Sequence, residues 1–271
     1  LPYATFTTIL VGTVETVAME RERISVRLRD KAVTLDSAFS TAKYAGTNVL
    51  PSGIEGTADD IKGQSKPRIF GRIALMQPVM VNTSKLIYQV NSGSVDNVIN
   101  VYDAGAYLTR STDYSSQTDM EANAPASGTW RAWPAGGCFR LGSTAFGEVS
   151  ACVAEKWDAS QISASAIIKR ILIEKGYTSS DWVEADFTKL SQKNAASLGV
   201  IVQDGETTSA LIDRICQSVG AWWGFDSLGK FRVARLDAPT GTASATLTEN
   251  QIIDIERQPE ANLPVWQSTL K

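Results

Sequence analysis

Ala164-Ser165-Ala166-Ile167-Ile168-Lys169-Arg170-Ile171-Leu172-Ile173-Glu174-Lys175-Gly176 is the point at which this chain changes its periodicity. Ala164, Ile167, Ile168, Ile171 and Leu172 fall on one stripe at a spacing of 3.6 residues, Lys169, Arg170 and Glu174 lie off it, and Gly176 stands where a helix would stop. Before this stretch the apolar residues alternate or come in short runs. Ile24, Val26 and Leu28 interleave with Ser25, Arg27 and Arg29, the pattern of a strand with one buried face. A long strand-like section followed by a helical one predicts a mixed, β-rich α+β protein.

Working back from residue 164, strands are predicted over residues 6–14, 24–29, 73–81, 85–90, 98–102, 107–108, 129–133, 138–141 and 148–153. Many short strands with Gly, Asp and Ser between them suggest a barrel or sandwich. Residues 52–71 are full of turn formers and are expected to be an exposed excursion. The polar stretch 115–128 is expected to be a loop, with Pro125 kept out of any central strand. Working forward, a weaker helix is expected over 181–190 and a strand over 198–202. Thr207 can cap a second strong helix whose apolar face is Leu211, Ile212, Ile215, Cys216 and Val219. Residues 222–225 and 231–236 flank Asp226-Ser227-Leu228-Gly229 as a hairpin, and a last strand is expected within 246–256. The division that follows is a β-barrel-rich part over 1–158, with a possible inserted subdomain near 91–158, and an α/β unit over 159–271 whose last strand returns to the barrel.

Composition narrows the chemistry. The 271 residues are 43% hydrophobic and 20% charged, ordinary for a globular protein and long enough for two compact units. No apolar run reaches the roughly 18–20 residues of a membrane span, and no signal-peptide pattern opens the chain, so neither stable membrane insertion nor self-export is expected. The chain begins at Leu1, consistent with a trimmed or processed product or part of a longer protein. A formal charge of −3 argues against a broad nucleic-acid surface. Histidine is absent, which removes Ser-His-Asp and Cys-His catalysis and imidazole metal sites together. Cys138, Cys152 and Cys216 form no C-x-x-C pair and read as small apolar residues.

Four features of the chain admit a sharper reading beside a bland one. Glu55, Asp59 and Asp60 share a glycine-bracketed loop that could offer oxygen ligands to a cation, but the Asp-x-Asp-x-Asp-Gly pattern is missing and a solvated loop is the simpler reading. Trp130, Trp133, Trp222 and Trp223 could stack on sugars beside paired carboxylates, yet all fall in strand-like stretches where packing explains them. The glycines of 71–73 and 136–137 lack phosphate-loop spacing and read as turns. The alternating Glu20-Arg21-Glu22-Arg23 reads as a solvated hairpin end. No catalytic, cofactor-binding or metal-binding residue is therefore assigned, and no cofactor is expected.

Two stretches together resemble the tail hub proteins of tailed phages. The first is Glu55-Gly56, Asp59-Asp60-Ile61-Lys62-Gly63 and Lys66-Pro67-Arg68-Ile69-Phe70-Gly71-Arg72, ahead of the strand Leu86-Ile87-Tyr88-Gln89-Val90. The second is Leu141-Gly142, Gly147-Glu148-Val149, the helix ending at Gly176, the helix from Thr207, then Gly220 and Gly229-Lys230-Phe231. The order of elements carries the likeness more than any invariant motif. The resemblance implies a ring-forming structural protein, commonly a homotrimer, with tail-tube-like β-barrel domains joined to smaller α/β domains. Such a ring sits in the virion tail between tube and tip or fibre, is assembled in the host cytoplasm, contacts other tail proteins, and passes DNA without specific binding. A carbohydrate- or receptor-binding tail module is the alternative, and a carboxylate-dependent polysaccharide-cleaving enzyme the third. The loop before residue 66 is expected to be an interaction element, such that deleting residues 54–63 leaves the monomer folded.

Overall fold

A computed structural model describes residues 7–235 together with 237 and 248. The chain divides into two units, Leu1–Leu236 and Asp237–Lys271, and the fold described is that of the first. The strand expected within 246–256 lies outside the described residues.

The first unit is mixed α+β and rich in sheet. An antiparallel hairpin of β1 (Thr13–Met19) and β2 (Ile24–Arg29) comes first. Two five-stranded sheets follow. One has the order β12-β3-β11-β6-β7, from Gly199–Ile201, Ile69–Met76, Val149–Ala154, Asn97–Asp103 and Ala106–Tyr107. The other runs β4-β5-β10-β9-β8, from Val79–Asn82, Ile87–Gln89, Cys138–Leu141, Thr129–Trp133 and Thr109–Arg110. The chain changes sheets between β3 and β4, β5 and β6, β7 and β8, and β10 and β11. All pairings are antiparallel except β8 with β9. Among the described residues both sheets are open-ended, and neither closes into a barrel.

Alternation decides which face of each strand meets which neighbour. From the second sheet, Tyr88, Trp130, Phe139 and Leu141 point to a core shared with Ile73, Val98, Val101 and Val153 of the first. Tyr88 stacks on Phe139 at 5.3 Å between ring centroids, and Trp130 meets Phe139 edge-on at 6.0 Å. The opposite face of the second sheet is also covered: Val81, Ile87 and Cys138 pack with Tyr44, Ile61, Tyr114 and Met120. This corrects two expectations. The 52–71 excursion is not simply exposed, because Gly56 and Ile61 are buried and residues 69–71 already belong to β3. The 115–128 loop contains helix α1 (Gln117–Ala122), whose Met120 is fully buried. The Ser116 side chain accepts from the Asp119 amide and so starts that helix.

Helices α2 (Ala164–Glu174), α3 (Glu184–Lys193) and α4 (Thr208–Ser218) share a third apolar core with the hairpin β13 (Ala221–Phe225) and β14 (Phe231–Arg235). The α2 stripe is buried as its spacing predicts, and Thr207 caps α4 by accepting from the Ala210 amide at 3.2 Å. The weaker helix begins at Glu184 rather than 181, because Thr178 and Asp181 close a separate 3-10 turn ahead of it. A boundary at 158 is bridged twice. Strand β12 adds to β3, and Leu35, Phe39 and Phe70 enter the helical core. Residues 91–158 supply strands that run through both sheets rather than an inserted body.

The junction of sheet and helices needs glycine. At Gly71 φ is +74° and an added Cβ would lie 2.1 Å from the Leu198 carbonyl oxygen; at Gly199 it would lie 1.9 Å from that of Arg72. The Gly71 amide donates to Glu155 Oε2 at 3.1 Å, and the Arg170 guanidinium holds both Glu155 oxygens at 2.5 Å. Glu155 is 5% exposed, so this buried charge is matched by an amide and a guanidinium.

Candidate functional site

The acidic loop is engaged internally. Glu55 pairs with Lys66 and accepts from the Ala45 amide at 3.0 Å. Burial acts against its carboxylate, but the Lys66 ammonium and the Ala45 amide outweigh it and hold the group below the ordinary glutamate value. Asp60 accepts from the Thr57 and Ile61 amides, both at 2.6 Å. Slight desolvation of Asp60 is overcome by those amides, and its acidity also rises. Asp59 is exposed. Glu55 and Asp60 thus close the loop that carries Ile61 into its core. Among the described residues, no group of three His, Cys, Asp or Glu side chains is placed to hold a metal.

The tryptophans divide by environment. Trp130 is fully buried, Trp133 packs on the Tyr44 cluster, and Trp223 stacks on Phe231 at 5.4 Å while donating to Asp213 at 2.6 Å. Only Trp222 of these four is largely exposed. Burial pushes the Cys138 and Cys216 thiols up to about 12, which leaves them protonated and unreactive as nucleophiles at neutral pH. A concavity of about 860 Å³ opens beside β12, walled by Arg72, Leu75, Ile201 and Arg214. Arg214 is committed there to the Ile201 carbonyl at 2.7 Å and Glu206 at 2.9 Å.

The most unusual surface is the β1–β2 hairpin, whose second strand the alternation over 24–29 predicts to have one buried face. The face exists and is not buried. Val14 stands opposite Leu28, Val17 opposite Val26 and Met19 opposite Ile24, and all six are 43–78% exposed. On the reverse face Glu15 bridges Arg27 at 3.1 Å and Arg29 at 3.0 Å. The arm is held at its base. The Val11 amide donates to the Ser227 carbonyl at 2.7 Å, and Lys31 reaches the Gly229 carbonyl at 3.3 Å and Asp181 at 3.4 Å. Strand β1 therefore starts at Thr13, after an irregular 7–12 segment that is exposed over 7–11, rather than spanning 6–14.

A second exposed element was not legible as functional. Phe146 is wholly exposed, on a loop whose Phe146 and Gly147 amides donate to the Asp103 carboxylate at 2.8 and 2.9 Å. No helix among the described residues is long and apolar enough to cross a membrane. No protein-family model matches the chain, and neither a curated protein nor a solved structure does so.

Proposed function

We propose that this chain is a structural, non-enzymatic ring component of the phage tail-hub kind, joining a tail tube to a tip or fibre and leaving a lumen through which DNA passes. The observation that carries the assembly reading is the open apolar face of the β1–β2 hairpin. A lone two-stranded hairpin is marginal in water, and further strands or a packed layer normally support it. Fully burying one aliphatic side chain is worth about 1.5–3 kcal/mol, so six that are about half exposed leave roughly several kcal/mol to be gained by a partner. Contiguous apolar patches of this kind mark interaction surfaces.

The phage setting rests on the resemblance in sequence, and the tail-tube-like barrel belongs to the same proposal: strands that are open in one chain would be completed by neighbours. A sugar-stacking module has less support, since three of its four tryptophans are spent on packing. Light scattering with electron microscopy on the chain in its native flanks tests the reading. A closed ring, with three copies expected, supports it; a clean monomer at high concentration overturns it.

A further inference from the structure

We infer that the hairpin arms join copies head to tail, with β2 of one chain pairing with β1 of the next, an inference that rests on the ring reading above. The charges on the polar face distinguish the possible edges. Strand β1 carries Glu15 and no basic residue, whereas β2 carries Arg27 and Arg29 and no acid. Among the described residues both outer edges are unpaired, because the hairpin forms a sheet of two strands.

Joining β2 to β2 would set four arginines side by side, and joining β1 to β1 would set two glutamates together; like charges across a strand pair are unfavourable. Joining β2 to a neighbour's β1 places each arginine pair between two glutamates. Arg27 and Arg29 have side chains 77% and 58% exposed although they already share Glu15, which leaves them open to a second acid. The same arrangement runs Ile24, Val26 and Leu28 beside the next copy's Val14, Val17 and Met19, making one continuous apolar face. Head-to-tail contacts are heterologous, and they yield a ring when the rotation closes.

A charge-swapped chain carrying Glu15→Arg, Arg27→Glu and Arg29→Glu keeps the pairs within its own hairpin and reverses every pair between copies. Wild-type and swapped chains, full length and with one of them tagged, are co-expressed, and their assemblies are weighed by native mass spectrometry. Head-to-tail pairing predicts sorting: each chain assembles with itself, and mixed assemblies fall severalfold below their statistical share. Preferential mixing indicates β2–β2 or β1–β1 contacts and overturns the inference. Statistical mixing, with a mass unaffected by Val17→Glu plus Val26→Glu, moves the interface elsewhere; this inference then falls while the ring reading stands. Monomers throughout remove both, and protection of the hairpin amides from exchange in that monomer identifies a segment of the same chain as the occupant.

Discussion

Two antiparallel hairpins of similar length, each a separate two-stranded sheet, meet opposite fates. In β13–β14, Phe231 is fully buried and Val233 nearly so, with Phe231 stacked on Trp223 at 5.4 Å and on Phe187 at 6.0 Å. In β2 the apolar positions 24, 26 and 28 alternate just as regularly, and every residue of β1 and β2 is exposed. Alternation specifies that a face is apolar; the neighbouring elements decide whether it is covered. The helices α3 and α4 precede the second hairpin in sequence and supply its cover. Among the described residues nothing comparable flanks the first, whose aliphatic face is presented on a pinned base.

The largest expected effect tests the covered hairpin. Ile215, 3% exposed, packs in the core that holds Phe231, so Ile215→Asp should cost about 4 kcal/mol or more by placing an unpaired charge there. Chemical denaturation read by tryptophan fluorescence would show it, and an unchanged midpoint would mean that α4 does not cover the hairpin. Removing residues 54–63 comes next. Because Ile61 packs with Tyr44 and Ile87, the deletion should destabilise the isolated chain by about 3 kcal/mol rather than leave it intact. A deletion variant with the wild-type midpoint and impaired assembly would restore the loop as a contact element.

A smaller effect concerns acid. Since Glu55 is held below its ordinary value near 4.5, its contribution is present above that pH and is lost as pH falls through the lower folded value. Glu55→Gln should therefore be less stable than wild type at neutral pH, by about 1 kcal/mol or less, and the difference should vanish under acid. Parallel melts across that range check the sign. The smallest effect belongs to the uncovered hairpin: Val26→Ser should move the melting of a single chain by no more than about 0.5 kcal/mol while lowering the mass of the assembly. A large loss in the single chain would show that the face is covered from within.

Much of the fold was legible because its signals are local. The α2 stripe, the Thr207 cap and strands β9 and β10 fall where their residues predict. Helix α1 was missed although Ser116-Gln117-Thr118-Asp119 offers a capping sequence; its six residues are too few to show a period. Burial of Ile61 was hidden for another reason. Glycine-rich turns look solvated until the long-range bonds of Asn48 to the Val81 carbonyl, at 2.8 Å, and of Tyr44 to Gln89, at 2.6 Å, fix the loop on the sheet. The open hairpin face was misread because periodicity carries no information about the third dimension.

The pairing of Gly71 with Gly199 has a consequence for the order in which the chain acquires its shape. During synthesis β3 emerges early, but the strand that covers one of its edges follows only after β11, α2 and α3 have been made. Closing so long a loop carries a large entropic cost before the pairing repays it, and contacts of this separation slow folding. From β3 until β12 is made, the nascent chain therefore carries Phe70 without its full helical cover and β3 with at least one bare edge. That interval is when aggregation competes most strongly, and Gly199, by admitting close backbone approach, is the residue on which its end depends.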